Sequence, residues 1–188
     1  MRLYRCHRPL KDARNYRRPN PGNNAQKSKK GDCLMANKVK PIPEGYHTVT
    51  PYLIINDAAG AIDFYKKAFG AIELFRFPRP DGKVGHAEIK IGDSPMMLAD
   101  ENPEIGAVSP QTVGGTPFSI MLYVDNVDEV FNQAIAAGGK EIRAVADQFY
   151  GDRTGGLYDP FGFQWWISTH VEDVPPEEME ARAKAAKH

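Results

Sequence analysis

The chain has few of the residues that build covalent or metal-bound frameworks. Only two of its 188 residues are cysteine, and both, Cys6 and Cys33, lie near the N-terminus. Two cysteines supply neither a disulfide framework nor the ligand spacing of a zinc finger. The sequence also lacks a glycine-rich phosphate loop and a serine nucleophile elbow. These absences exclude several common enzyme and binding classes.

Long apolar runs are absent as well. No apolar stretch approaches the roughly 18 residues that a membrane-spanning helix needs. The N-terminus lacks the apolar segment of a secretory signal. We therefore expect a soluble, cytoplasmic protein with no membrane partner.

The net charge of zero hides an asymmetry along the chain. Residues 1–34 contain ten Lys and Arg against two Asp and Glu, whereas residues 35–188 contain fourteen against twenty-two. The larger part of the chain is therefore acidic, which argues against a nucleic-acid partner for a folded domain within it.

The basic segment 1–34 has little to bury, so we expect it to be disordered. Three interpretations stay open: translation starts at Met35, the segment is a basic tail that contacts a polyanion, or it is an organelle transit peptide. The third is disfavoured because Pro9, Pro19 and Pro21 would interrupt the amphipathic helix of such a peptide.

Two stretches of the sequence resemble copies of one unit. Residues 50–56 and 119–125 both have strand patterns, and each precedes a helical pattern that ends at a glycine, Gly70 or Gly138. This repeat predicts two βαβββ modules, at about 48–100 and 117–170, within one domain at 46–170. The predicted fold class is therefore α+β, a half-barrel sheet with a cleft where small-molecule sites tend to form.

Polar residues and glycines mark the predicted helix ends. Asn56 or Asp57 can cap the first helix, and Gly70 can end it in the left-handed conformation. Asn126 and Glu129 have capping-box spacing at the start of the second helix.

The segment 171–188 predicts a C-terminal tail helix. The Pro-Pro pair at 175–176 begins it, and Glu178 and Arg182 have the i,i+4 spacing of a stabilising ion pair. Because the helix has little apolar surface, we expect it to be solvated, or alternatively to act as a docking arm.

Several motifs occur in an order that resembles a known superfamily. They are Thr50-Pro-Tyr-Leu, Ala61-Ile-Asp-Phe-Tyr-Lys-Lys-Ala-Phe-Gly70, Gly85-His-Ala-Glu88, Tyr123-Val-Asp-Asn-Val127, Tyr150-Gly-Asp-Arg153 and Asp159-Pro-Phe-Gly162. Over about residues 46–180 the chain resembles the vicinal-oxygen-chelate superfamily of glyoxalase I, bleomycin-resistance proteins and extradiol dioxygenases, and within it the PhnB-like branch. The resemblance implies a homodimer, since members commonly pair modules across chains.

The resemblance also implies where a metal site would lie. Metal enzymes of this superfamily carry one ligand on each of four strands, and by motif these positions fall on four residues: Thr50, Met97, Ser119 and Trp166. None of these side chains replaces an imidazole or a carboxylate on a divalent ion. We therefore expect no metal site and no cofactor.

Strand alternation indicates what these positions do instead, since residues two apart share a face. The resulting lining is aromatic and apolar, and suits a flat, partly apolar organic ligand. The predicted ligand-binding residues are Thr50, Tyr52, Met97, Ser119, Met121, Tyr123, Gln164 and Trp166. The alternative is that Trp166, Met97 and Met121 simply fill the half-barrel.

Two residues of one strand are candidates for catalysis. His86 and Glu88 share a face, and such a pair is suited to proton transfer. The alternative is an exposed polar face with no catalytic role.

Two further candidates lie on a glycine-broken loop. Tyr150 and Arg153 are expected to overhang the cleft, where Arg153 would bind a carboxylate or phosphate, or else pair with Asp152 or Asp159. His170, just after the last predicted strand, is expected to be solvated.

Three hypotheses for function follow from the residues and the resemblance. The first is a metal-free, small-molecule-binding protein that acts as a homodimer. The second is an enzyme, either a lyase or isomerase or a dioxygenase, with a non-standard or differently placed metal site. The third is a protein that only interacts with a partner through its tail helix.

Overall fold

The computed structural model describes residues 39–185, so the interpretations of segment 1–34 lie outside the described residues. The first module contains β1 (Tyr52–Ile55), α1 (Ala58–Phe69), β2 (Ile72–Pro78), β3 (Val84–Ile91) and β4 (Ser94–Asp100). A 3-10 turn (Pro103–Ile105) and the short helix α2 (Pro110–Val113) follow. The second module contains β5 (Ser119–Tyr123), α3 (Val127–Ala136), β6 (Lys140–Asp147), β7 (Asp152–Tyr158) and β8 (Gln164–His170). The last helix is α4 (Pro176–Ala185).

The two modules form separate four-stranded sheets with the same topology. The strand orders are β1-β4-β3-β2 and β5-β8-β7-β6. In each sheet the first strand pairs in parallel with the last strand of its module, and the other pairs are antiparallel. The predicted α+β class and the pair of βαβββ modules are confirmed.

Local hydrogen bonds fix the ends of the two module helices as predicted. Asp57 Oδ1 accepts from the backbone N–H of Gly60 at 2.9 Å, and Gly70 ends α1 at a φ of 65°. Asn126 accepts from the backbone N–H of Glu129 at 3.3 Å, as predicted for an N-cap, and its side-chain amide donates to the Glu129 carboxylate at 3.4 Å.

An equivalent contact in each module ties the helix start to the end of a strand. Asp100 accepts from the backbone N–H of Ala58 at 2.9 Å and of Val84 at 2.6 Å. In the second module Thr169 accepts from the backbone N–H of Val127 at 2.8 Å. The repeat therefore preserves the anchor although a hydroxyl replaces the carboxylate.

One buried carboxylate, that of Asp159, joins the two modules. Its Oδ2 accepts from the Tyr65 hydroxyl of α1 at 2.7 Å and from the Trp165 indole N–H at 3.0 Å. Its Oδ1 accepts from the backbone N–H groups of Phe161 and Phe163 at 3.0 and 2.9 Å. Helix α1 of the first module is thereby attached to the β7–β8 hairpin of the second.

Aromatic rings surround this carboxylate. The rings of Phe69 and Tyr65 lie 4.5 and 5.4 Å from that of Trp165, and α1 also packs on α3, so one apolar core spans both modules. Burial raises the pKa of Asp159 although its hydrogen bonds act in the opposite direction. Burial and the nearby Asp159 raise the pKa of Tyr65 well above its usual value.

The tail helix is held by arginine. Arg182 contacts Glu178 at 2.6 Å, as its i,i+4 spacing predicts, and also contacts Glu172, which precedes the helix, at 2.7 Å. No buried residue lies in α4, in agreement with a solvated helix. Within residues 39–185, no helix combines the length and apolar character required to cross a membrane.

The Asp159 contacts predict the effect of a conservative change. Asp159→Asn is expected to lower the free energy of unfolding by about 2–4 kcal/mol, because in either orientation the amide NH₂ group faces two donors that lose their acceptor. Urea denaturation followed by circular dichroism measures the loss. Asp63→Asn, at an exposed position on the same helix α1, is the matched control. Equal midpoints for the two variants would contradict this role of Asp159.

Candidate functional site

A row of side chains crosses the open face of the first sheet, opposite α1. Strand pairing aligns Tyr52 with Met97, Met97 with Glu88, and Glu88 with Phe75. Their sequence neighbours, such as Leu98, point to the other face and are buried in the core. Alternation along each strand therefore brings four chemically different side chains into one line.

Within this face, three residues form a continuous hydrogen-bonded chain. The Tyr52 hydroxyl lies 2.9 Å from His86 Nδ1, and His86 Nε2 lies 3.2 Å from Glu88 Oε1. An ionised carboxylate only accepts, so His86 Nε2–H donates to Glu88, and in the neutral imidazole Nδ1 then accepts from the Tyr52 hydroxyl. The Phe75 ring lies 5.4 Å from the His86 ring and forms the next wall of the face.

Burial distinguishes Glu88 from an ordinary surface carboxylate. Glu88 is only 9% exposed, and this burial raises its pKa. Burial also raises the pKa of Tyr52, so its hydroxyl keeps its proton near neutral pH. Glu88 therefore does not lie on an exposed polar face, and its catalytic role stays a prediction.

A cavity of about 510 Å³ lies over this face. Its floor includes Thr50, Phe75, Glu88 and Met97, and six residues of the segment 41–48 form its other side. Among the described residues that line it, Glu88 is the only acid and none is Lys or Arg. The cavity thus combines an apolar and aromatic wall with a single carboxylate.

The second sheet has a different set of side chains on its corresponding face. Strand pairing aligns Ser119 with Gln164, Met121 with Trp166, and Tyr123 with Ser168. Met121 and Tyr123 border another cavity, of about 470 Å³, which lies between the edge strand β5 and the chain around Val49 and Pro95. The predicted ligand-binding residues are therefore placed in two groups, one on each module.

A glycine pair in β7 allows two close aromatic contacts, and Gly156 provides the space for Trp166. A Cβ on Gly156 would lie 2.7 Å from the Trp166 ring, and a Cβ on Gly155 would lie 2.9 Å from the Phe131 ring of α3. The two glycines thus allow close contacts on opposite faces of β7. The Trp166 ring lies against its own sheet, which agrees with the interpretation that it fills space.

The predicted pairing of Arg153 with Asp152 or Asp159 is wrong. Its guanidinium instead contacts Asp128 of α3 at 2.7 Å and Asp147 of β6 at 3.0 Å. These two carboxylates raise the pKa of Arg153. Arg153 is therefore a structural residue that links β7 to the start of α3.

Tyr150 and His170 lie beside the tail instead of over a cleft. Both border a hollow of about 320 Å³ next to Met179 of α4. His170 Nδ1 lies 2.8 Å from Asp152 and Nε2 lies 3.0 Å from Asp173. His170 is half exposed, in agreement with the expectation that it is solvated, and hydrogen bonds to these two carboxylates raise its pKa.

The donor set does not fit a divalent metal. The four superfamily ligand positions supply two hydroxyls, a thioether and an indole, and none of these replaces an imidazole or a carboxylate. Elsewhere in residues 39–185, no group of three or more His, Cys, Asp or Glu side chains is arranged to hold a metal ion.

The repeated βαβββ fold, with small-molecule-sized cavities beside its sheets, defines a class of two-module binding proteins and enzymes. Residues 46–167 match the model of the Glyoxalase/Bleomycin resistance protein/Dioxygenase superfamily, and the chain belongs to this superfamily. It is 43% identical over 136 residues to an uncharacterized protein of Mycobacterium tuberculosis H37Rv, covering 71% of this chain and 80% of that one. The superfamily resemblance noted from the motifs is thus confirmed.

Many solved structures share the fold, among them one from Bacillus cereus and one from Listeria monocytogenes. The PhnB protein of Bacillus cereus has a TM-score of 0.52 at 18% identity, covering 65% of this chain and 99% of that one, which supports the PhnB-like assignment in part. A variant of the fosfomycin resistance protein FosX of Listeria monocytogenes, complexed with Mn(II) and 1S,2S-dihydroxypropylphosphonic acid, has a TM-score of 0.52 at 17% identity. That similarity covers 71% of this chain and 94% of FosX.

Sequence reasoning found His86 and Glu88 but not their link to Tyr52. Tyr52 lies on β1 and His86 on β3, and β4 separates the two strands in the sheet. The only signal available in the sequence was the shared alternation of the strands. Their relative register was required to bring the phenol and the imidazole together.

Burial of the Glu88 carboxylate predicts that the stability difference between Glu88→Gln and the wild type depends on pH. Because its pKa is raised in the folded protein, stability is lost as the pH rises through that folded value. Glu88→Gln stays neutral and keeps an acceptor for His86, so it is expected to unfold at higher urea than the wild type near pH 7.5. The gain is expected to vanish below about pH 4, where both forms are neutral.

The matched control for this comparison is Glu141→Gln, at an exposed position on β6. It is expected to show no such pH-dependent gain. Urea midpoints across the pH range measure both variants, and a Glu88→Gln midpoint below that of the wild type at pH 7.5 would argue against a destabilising carboxylate.

Proposed function

We propose that the protein binds a partly apolar organic molecule, without a metal ion at the four superfamily ligand positions. The observation that carries this proposal is the cavity over the first sheet, with its aromatic and apolar walls and one carboxylate. Its volume of about 510 Å³ lies within the usual range of small-molecule pockets, about 300–1,000 Å³. A few polar groups on an apolar wall orient a ligand without requiring a metal.

Phe75 provides the most direct test of this cavity. Its ring borders the cavity but is 46% exposed, so its removal should affect binding more than folding. N-phenyl-1-naphthylamine, a neutral aromatic dye, is expected to bind saturably, and Phe75→Ala to weaken its affinity about fivefold through loss of aromatic contact. Phe77→Ala, two residues along β2 and outside the cavity lining, is the matched control.

Metal content is measured on the same samples. Elemental analysis and titrations with Ni²⁺, Zn²⁺ and Mn²⁺ are expected to show no stoichiometric tight binding and no change in dye affinity. Equal dye affinities for the Phe75 and Phe77 variants, or no saturable binding, would refute the proposed cavity. A stoichiometric metal would refute the metal-free part and favour the second candidate.

The second candidate is an enzyme of the same superfamily, a lyase or isomerase or a dioxygenase. The hydrogen-bonded chain from Tyr52 through His86 to Glu88 favours it, because a base oriented by a second group is typical of proton transfer. The structural similarity to FosX, which was solved with Mn(II), also supports this candidate. Catalysis that is lost on adding a chelator would distinguish its metal-dependent form.

We further infer that the protein is a homodimer. Each open sheet face exposes large apolar side chains, Tyr52 and Phe75 on the first sheet and Met121 and Tyr123 on the second, and exposed apolar surface supports an interaction site. Each sheet of the described residues also has two edge strands, β1 and β2 in the first and β5 and β6 in the second, and edge strands can pair with another chain. The cytoplasmic location and the absence of a nucleic-acid partner remain predictions.

Sedimentation velocity tests the oligomeric state. The expected result is a single species of about twice the 20.9-kDa mass of the chain. A monomer that persists at high protein concentration would contradict the dimer and would leave the cavity proposal to its own test.

A further inference from the structure

We propose that the cavity on the first module selects an aromatic ligand that carries a protonated amine, and that Glu88 Oε2 accepts a hydrogen bond from this amine. The proposal rests on the proposed binding function and adds the chemical class of the ligand.

Among the described residues, only one of the two Glu88 carboxylate oxygens has a hydrogen-bond donor. His86 Nε2 donates to Oε1 at 3.2 Å, and no donor among the described residues is bonded to Oε2. Every buried side-chain oxygen or nitrogen of the described residues has a hydrogen-bond partner. Because Oε2 has none, it is accessible to solvent. It is therefore available to a donor that enters the cavity.

The described residues that line the cavity include one carboxylate to attract a cation. Glu88 is 9% exposed, and no Lys or Arg is among the described residues that line the cavity. A carboxylate without a Lys or Arg partner is costly to bury, and a cation bound beside it removes part of that cost. A carboxylate or phosphate ligand would instead meet a like charge.

An aromatic ring lies near this carboxylate in the wall of the cavity. The Phe75 ring borders the same cavity as Glu88, and the two residues are paired in register across β2 and β3. An aromatic ring attracts a cation over its face and also stacks on another ring. A ligand with both an aromatic system and a nearby amine therefore satisfies both groups together.

The Tyr52–His86 pair has a positioning role in this arrangement. With His86 Nδ1 occupied by the Tyr52 hydroxyl, its Nε2–H is directed at Glu88 Oε1. This contact orients the carboxylate, and a neutral imidazole would do so without neutralising its charge. That leaves the negative charge for the ligand.

Three indoles of matched size test the proposal: tryptamine is a cation, tryptophol is neutral, and indole-3-propionate is an anion at neutral pH. Calorimetric titration of the full chain is expected to show tryptamine bound at least tenfold more tightly than tryptophol, the size expected of one charge-assisted hydrogen bond. Indole-3-propionate is expected to bind least.

Glu88→Gln is expected to abolish the preference for tryptamine over tryptophol, and Glu141→Gln to retain it. Urea denaturation of each variant verifies that it is folded. The wild type provides a test that needs no variant: acidification is expected to weaken tryptamine binding and to leave tryptophol binding unchanged. Glu88 and His47 line this cavity, and His86 is hydrogen-bonded to Glu88. Protonation of any of the three makes the cavity less negative and is therefore expected to lower the tryptamine affinity.

The outcomes separate this inference from the proposed function. Equal affinities for tryptamine and tryptophol, a preference for indole-3-propionate, or an unchanged preference in Glu88→Gln would overturn the amine assignment while the aromatic cavity stands. Failure of all three indoles and of the neutral dye to bind would overturn both proposals.

Discussion

The buried carboxylate of Asp159 is the contact on which the arrangement of the two modules depends. It accepts four hydrogen bonds, two from its own turn and one each from Tyr65 and Trp165. A buried ionisable group is retained only where its hydrogen-bonding capacity is met, so the turn, β8 and α1 must form together. Because α1 belongs to the first module, this contact also fixes where that module lies relative to the second.

The two modules share a topology but differ in chemistry. Met97 of the first sheet corresponds in position to Trp166 of the second, and Glu88 corresponds to Gly156. In the first module this leaves a cavity with a carboxylate, and in the second the indole lies over a glycine. The repeat therefore supplies the same scaffold twice, and the side chains on the open face give the two copies different chemistry.

Local patterns in the sequence were sufficient for the fold. The caps at Asp57 and Asn126 and the glycine stop at Gly70 depend on contacts within one helical turn, and each occurs where it was predicted. The partners of Arg153 were not predicted, because Asp128 and Asp147 lie on other elements. The site was found in part, since the pair of His86 and Glu88 follows from alternation within one strand.

The sequence by itself determined the repeat, the helix ends and the face of the sheet on which each strand residue lies, because these follow from interactions between residues close in the chain. Only the tertiary structure decided which groups meet. Tyr52 and His86 are 34 residues apart, and Tyr65 and Asp159 are 94 apart. Such contacts depend on strand register and on module packing, which many residues set together. For that reason the burial of Glu88 and the carboxylate-containing cavity appear only in the folded chain.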